Sequence, residues 1–190
     1  MESVQRSLSV IEDELTRFGR GPTLERLRAG VSRDSARRAL ESVGLRPPAD
    51  LLDLYAWHNG TDTTGAILDD LHLWPGFYFL SIEDAVANHK AFVRDKRWDK
   101  TWFPVFANGG GDFYAVVSGQ GHTAWGEIIH FRIDEVEQPI EFHSVQALLA
   151  TLAAAYQEGI FFVEDRGYLE MKDVEFIQLA NRIDQIDLKQ

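Results

Sequence analysis

The run Asn108-Gly-Gly-Gly-Asp112 has the composition of a ligand-binding loop. A phosphate-binding loop places its glycines between a strand and the N-terminus of a helix, and often continues into Lys-Ser/Thr. In this chain, apolar strand-like segments lie on both sides, at 102–107 and 113–117, and no Lys-Ser/Thr follows. The run is therefore predicted to be the turn of a β-hairpin.

The other candidates for catalysis lack the spacing that their chemistry needs. Ser118 lies in Val-Ser-Gly-Gln-Gly, where Val116 takes the place of the first glycine of Gly-x-Ser-x-Gly. The chain has no cysteine, and its six histidines form neither an i, i+4 pair nor His-Glu-x-x-His. We predict no enzyme activity, no metal and no cofactor. A hydrolase or metal enzyme using Asp112 with His130 or His58 stays an alternative.

Several residues suit partner binding better than catalysis. Asp112, Glu127, Asp134 and Glu135 could form an acidic binding rim or a solvated edge. Trp125, in Thr-Ala-Trp-Gly-Glu, is the tryptophan expected to be most exposed, and protein interfaces are enriched in tryptophan. These five residues are the predicted partner contacts.

The net charge of −11 is concentrated in one part of the chain. Residues 1–58 hold nine acids and nine bases, whereas residues 59–190 hold 21 acids and ten bases. Nucleic acid is disfavoured as a ligand, because neutralising phosphates requires clustered Lys and Arg. The excess would suit a basic protein partner, or would simply maintain solubility.

No segment of the sequence predicts a membrane anchor. Residues 1–18 contain four acids, which interrupt any apolar signal region, and no run approaches the roughly 20 apolar residues of a membrane span. We expect a cytoplasmic protein that does not bind membranes.

The elements that position these residues follow from periodicity and from Gly, Pro and Ser signals. Pro48 is expected near the start of a short apolar helix, and Asn59-Gly60 is expected to end that helix in a left-handed conformation. Ser81 and Ser144 are expected to cap helices. Helices are predicted at 4–18, 33–43, 51–57, 82–93, 145–156 and 174–186, and strands at 102–107, 113–117, 128–133 and 161–163.

The order of the elements indicates the fold class. Helices come first, strands lie in the middle and helices come last, which favours an α+β fold over an alternating parallel sheet. Short glycine-containing gaps predict antiparallel hairpins. We expect a central, mainly antiparallel sheet with N- and C-terminal helices packed against it, divided into an N-terminal extension (1–30), a main domain (31–158) and a C-terminal extension (159–190).

Four segments in this order resemble the SUKH superfamily: 45–60, with its Leu-x-Pro-Pro entry and Asn-Gly end; 102–117, around the Gly-Asp turn; 126–131; and 144–156. The superfamily includes a fungal cell-wall assembly regulator and bacterial immunity proteins, which neutralise toxins such as nucleases. The resemblance implies an α+β fold without catalytic residues or a cofactor. It also implies that Asn59, Gly60, Gly111 and Asp112 are structural first and functional second.

The resemblance and the acidic excess together predict a non-catalytic immunity protein that binds and occludes a basic toxin domain. A regulatory or scaffold module, like the fungal relatives, is the alternative.

Overall fold

The structure is a computed structural model that describes residues 2–187, with side chains described for residues 4–183. Its helices are α1 (Glu2–Arg17), α2 (Gly21–Glu25), α3 (Arg33–Glu41), α4 (Ala49–Trp57), α5 (Ile82–Phe92), α6 (Val145–Gln157) and α7 (Asp173–Asp187), with a 3₁₀ helix at Leu68–Leu71. Its strands are β1 (Leu27–Ala29), β2 (His58–Thr61), β3 (Tyr78–Phe79), β4 (Trp102–Ala107), β5 (Phe113–Val117), β6 (Ile128–Phe131), β7 (Ile140–Phe142), β8 (Phe161–Val163) and β9 (Leu169–Met171).

A five-stranded antiparallel sheet forms the centre of the fold. Its strand order, β3-β4-β5-β6-β7, is that of a simple meander, because each strand pairs with the next along the chain. Val145 and Leu148 of α6 lie against one face of the sheet. Phe92 of α5 packs on the other face, with ring centroids 4.9 Å from Phe113 and 5.6 Å from Phe131. The α+β fold with a mainly antiparallel sheet is confirmed.

The first and last helices both pack on α6. Val4, Leu8, Ile11 and Leu15 of α1 are buried, as their spacing predicted, and they share one hydrophobic core with Phe176 and Leu179 of α7. A helix with an apolar stripe must bury it against a neighbour, and α6 is the neighbour here. The domain boundaries at 30/31 and 158/159 stay a prediction.

Three helix starts agree with the sequence. Pro48 is the N-cap residue of α4. The side-chain oxygens of Ser81 and Ser144 accept hydrogen bonds from the backbone N–H groups of Asp84 and Ala147, at the starts of α5 and α6. Each of these bonds satisfies a backbone donor that a helix start leaves unpaired.

The predicted role of Asn59-Gly60 as the end of α4 was wrong. The helix ends at Trp57, and His58 is already extended because it begins β2, which pairs with β1. Asn59 instead accepts a hydrogen bond from the backbone N–H of Ile82, at the start of α5. Gly60 does have a positive φ of 72°, but it lies within β2.

Candidate partner-binding surface

The glycine run 108–112 is a tight turn between β4 and β5. Asn108 Oδ1 accepts hydrogen bonds from the N–H groups of Gly110 and Asp112, and its Nδ2 donates to Asp112 Oδ2 at 2.7 Å. The other oxygen of Asp112 accepts from the N–H of Ile133 at 2.8 Å. The Asp112 carboxylate therefore joins the turn to the β6–β7 connection.

Gly111 is required by the same junction. Its φ of 110° is unfavourable for residues with a side chain, and a Cβ atom there would lie 2.7 Å from Ile133 Cδ1. Both motif residues thus have a structural role in this turn, whatever else they contact.

The β6–β7 connection, residues 132–139, forms an ordered loop that we call the acidic loop. The Gln138 amide donates to the carbonyls of Arg132 at 3.0 Å and Glu135 at 2.8 Å, and its Oε1 accepts from the Arg132 N–H at 2.7 Å. Because one side chain satisfies three backbone groups, the loop has a defined shape without regular structure. Four consecutive residues at its tip are exposed: Asp134, Glu135, Val136 and Glu137.

Few cations accompany the acidic loop in its part of the sequence. Residues 108–141 contain six acids and one base, Arg132. From outside this segment, the Arg97 guanidinium donates to the carbonyl of Ile133 and pairs with Asp95 at 2.7 Å. Its hydrogen bonds lower the pKa of Asp95 to about 2. Arg97 therefore braces the base of the loop while it is paired with Asp95, and it also lies within electrostatic range of Asp134.

Apolar side chains adjoin the glycine turn on its other side. The Cβ position of Gly109 lies 3.2 Å from Leu68 Cδ1. Leu68 is 46% exposed and its neighbour Ile67 is 66% exposed, while Val136 in the acidic loop is 84% exposed. We call this surface the acidic end, defined as residues 67–70, 108–112 and 132–139. It combines exposed apolar side chains with an excess of carboxylates.

Trp125 and Glu127 lie at the opposite end of the sheet from Asp112, Asp134 and Glu135. Phe113 pairs with Phe131 and Val116 pairs with Ile128, so the connection 118–127 follows the far ends of these strands. A five-residue strand separates the two regions by roughly 15 Å. The predicted partner residues therefore form two groups.

Trp125 is exposed but anchored. Its indole is 44% exposed, in accord with the sequence, and its Nε1 donates to the carbonyl of Arg46 at 2.9 Å. It borders a groove of about 660 Å³, where Arg33 and Asp53 form an ion pair at 2.9 Å. Glu127 contacts His143 nearby, with 3.2 Å between Oε1 and Nδ1.

Asp50 lines the same groove and is half-buried. Burial raises its pKa, although its carboxylate accepts hydrogen bonds from the N–H groups of Leu51 and Gln146. Since Arg33 and Asp53 also pair with each other, the groove presents less free negative charge than the acidic end.

The residues of the enzyme alternative have other partners. His130 Nδ1 lies 2.9 Å from Glu141 Oε1, and His58 Nδ1 lies 2.8 Å from the carbonyl of Arg28. Within the described part of the chain, no hydrogen bond joins Asp112 to either histidine, and no group of three or more His, Cys, Asp or Glu residues could hold a metal ion. No helix among residues 2–187 is long and apolar enough to cross a bilayer.

The sequence did not predict that Ile67, Leu68, Val136 and Gln138 belong to the acidic end. Val136 did have a signal, because it is an isolated apolar residue within Asp-Glu-Val-Glu. The contribution of Gln138 depends on loop geometry that the sequence does not display.

One comparison identifies relatives. The family model described as SMI1 / KNR4 family (SUKH-1) matches residues 30–151, which is more than half of the chain. The match spans α3 to most of α6, and therefore includes the whole five-stranded sheet, while α1, α2, β1 and the elements from β8 onward lie outside it. No curated protein matches the chain.

Proposed function

Because the chain belongs to the SMI1/KNR4 (SUKH-1) family, we propose that it works as an immunity protein, which binds a cognate bacterial toxin and blocks it. The proposed partner is a basic toxin domain, and the proposed compartment is the cytoplasm. The family membership supports a protein-binding role in general. The identity of the partner as a toxin, its basic charge and the contact residues are proposed in addition.

The acidic end carries the proposal. Asp134, Glu135 and Glu137 are exposed around Val136 in a loop that Gln138 holds in shape. A preorganised loop loses little conformational entropy on binding. Carboxylates around an apolar centre match the common interface arrangement of a polar rim and an apolar core.

Charge complementarity should act mainly on the rate of association. A negative patch steers a positive partner into encounter, and this effect weakens as salt screens the charges. Occlusion then requires only that the bound protein cover the toxin's active site, so no catalytic group is needed on this chain.

The test uses the product of the gene adjacent to this one as the candidate toxin. It is co-expressed with this chain to follow growth, and the two purified proteins are mixed to measure their association rate. Wild-type protein should rescue growth, and Asp134→Lys with Glu135→Lys should lower the association rate about tenfold or more at low salt. The melting temperature should change little, because both residues are exposed.

A matched control makes the same charge change elsewhere. Asp13→Lys with Glu25→Lys alters two exposed residues of the N-terminal extension and adds the same net charge. The control should associate nearly as fast as wild type. Equal slowing by both pairs would show that net charge matters and the acidic end does not, and failure to rescue any adjacent toxin would refute the immunity role.

A regulatory or scaffold module is the second candidate. It is favoured by the groove beside Trp125, a second exposed surface at the opposite end of the sheet. Affinity purification followed by mass spectrometry separates the two functions. One tight, basic, co-encoded partner supports immunity, whereas several partners with housekeeping functions support the second candidate.

The absence of catalysis is also part of the proposal. Elemental analysis of the purified protein tests the metal-enzyme alternative directly. Stoichiometric bound zinc or manganese would count against a purely binding role.

A further inference from the structure

A cleft of about 500 Å³ lies between the 3₁₀ helix and the C-terminal hairpin formed by β8 and β9. Leu68, His72 and Pro75 line one wall. The other wall includes Tyr168 and Glu170 of the hairpin, which follow the residues matched by the family model. The C-terminal extension thus forms half of a surface feature that the family domain alone would lack.

A buried arginine fixes the two walls relative to each other. Arg20, which is 8% exposed, donates to Asp69 Oδ2 at 3.3 Å and to the carbonyl of Gly167 at 3.5 Å. The hydroxyl of Thr23 donates to the carbonyl of Asp70 at 2.9 Å. The 3₁₀ helix is therefore tied to α2 and to the hairpin turn, and the cleft is preformed.

The cleft combines an apolar lining with acidic side chains. Leu68 and Met171 contribute apolar surface, and Tyr168 is 46% exposed. Its carboxylates belong to Asp69, Glu170 and Asp173. Such a lining suits a side chain with a long aliphatic stem and a cationic head.

The nearby cations do not cancel this charge. Arg20 is committed to Asp69 and to backbone carbonyls, and the Lys172 ammonium donates to the carbonyl of Gly159 at 3.0 Å. Burial lowers the pKa of His72, which disfavours a positive charge on its imidazole. The residues that line the cleft include three carboxylates and no lysine or arginine.

We propose that this cleft receives a lysine or arginine side chain of the basic protein partner, and that the C-terminal hairpin sets which partner fits. The inference rests on the proposed function and names a second contact for it. The cleft adjoins the acidic end, because Leu68 lines the cleft and also packs beside Gly109 of the glycine turn. One partner could therefore contact the acidic loop and place a basic side chain in the cleft.

The test uses full-length, isotope-labelled protein and a small probe, N-acetyl-arginine methylamide, followed by NMR. The uncharged isostere, N-acetyl-citrulline methylamide, is the ligand control. Saturable shifts should appear at the amides of residues 168–173 with the arginine probe and should be much smaller with citrulline. Glu170→Gln with Asp173→Asn should weaken binding about threefold to tenfold, the range expected for two exposed charge contacts.

Asp134→Asn with Glu135→Asn is the matched protein control, because it removes two exposed charges outside the cleft. It should leave the shifts at residues 168–173 nearly unchanged. Shifts spread evenly over the acidic surface, equal shifts with citrulline, or equal weakening by both variants would overturn the inference.

The two proposals fail in different ways. If no adjacent toxin is neutralised but the arginine probe binds the cleft, the immunity role is refuted and the cation-binding cleft is supported. If a toxin is neutralised while Glu170→Gln with Asp173→Asn changes neither probe binding nor toxin affinity, the cleft inference falls alone.

Discussion

Gly60 offers the sharpest test of the packing between β2 and α5. Its φ is 72°, and a Cβ atom built on it would lie 2.1 Å from the backbone nitrogen of Ser81 and 2.4 Å from the carbonyl carbon of Leu80. Backbone atoms cannot rotate away as a flexible side chain can. Gly60→Ala therefore requires the chain at residues 80–81, immediately before α5, to move.

The expected loss has two parts. A left-handed conformation costs an L-residue about 1–2 kcal/mol. Relieving the overlap by shifting packed backbone adds about 1–3 kcal/mol, by analogy with overpacked cores. Gly60→Ala should therefore destabilise the protein by about 2–5 kcal/mol, a large part of the roughly 5–15 kcal/mol that holds a typical domain folded.

Gly44 provides a control in which only the cost of the left-handed conformation applies, without steric overlap. Its φ is 79°, close to that of Gly60, but nothing lies within 4 Å of its Cβ position. Gly44→Ala should thus lower stability by only about 1–2 kcal/mol. Urea unfolding followed by circular dichroism measures both variants, with the m-value checked for constancy. If the two variants lose the same free energy, the close approach of β2 to residues 80–81 is not what constrains Gly60.

Three further outcomes are expected, each measured by urea unfolding. Asp112→Ala should destabilise the protein by about 1–3 kcal/mol, because the backbone N–H of Ile133 and the side-chain amide of Asn108 would both lose their acceptor. An unchanged unfolding midpoint would contradict the role of Asp112 in joining the turn to the acidic loop. Arg20→Met should lower the free energy of unfolding by about 2–3 kcal/mol. This is less than the loss expected on breaking a fully buried ion pair, because Asp69 is partly exposed. An unchanged stability would argue that Arg20 does not hold the two cleft walls together. Burial lowers the pKa of His89 in the folded state, so the unfolded state binds more protons below about pH 6.5. Wild type should accordingly lose stability between pH 7 and pH 5, and His89→Gln should lose less; the same loss in both would place the effect elsewhere.

Much of the helical structure could be predicted because its signals are local. The apolar spacing of Val4, Leu8, Ile11 and Leu15 requires only one turn of chain between neighbours, and Ser81 and Ser144 act on N–H groups three residues away. The three central strands of the meander could also be predicted, since β4, β5 and β6 are joined by glycine-containing connections, whereas the edge strands β3 and β7 were not predicted.

The long-range pairings could not be predicted in the same way. Strand β1 was not predicted, and the pairing of Leu27 with Thr61 joins residues far apart in sequence. That pairing explains the error at Asn59-Gly60. A glycine with a positive φ can end a helix or occur in an irregular strand, and here the pairing with β1, whose register shifts, decides between them.

The candidate site was predicted in composition but not in geometry. Asp134 and Glu135 are exposed as a binding rim requires, yet Asp112 is engaged in internal hydrogen bonds and Glu127 contacts a histidine at the other end of the sheet. The sequence alone does not distinguish an exposed carboxylate from one that is engaged in internal hydrogen bonds. The fold determines which of them still face solvent and which lie together.

Some parts of the surface are fixed by the fold, and others can vary. The glycine turn and the acidic loop are coupled through Asp112 and Ile133, so a change in either disturbs the sheet that both of them join. The outer wall of the cleft belongs to β9 and the turn before it, which pack on the core through Leu169 while Tyr168 and Glu170 face outward. Outward residues of a short hairpin can change without altering the sheet. A protein that must match one particular partner would therefore be expected to place its adaptable contacts in such an extension and its shared charged contacts on the meander.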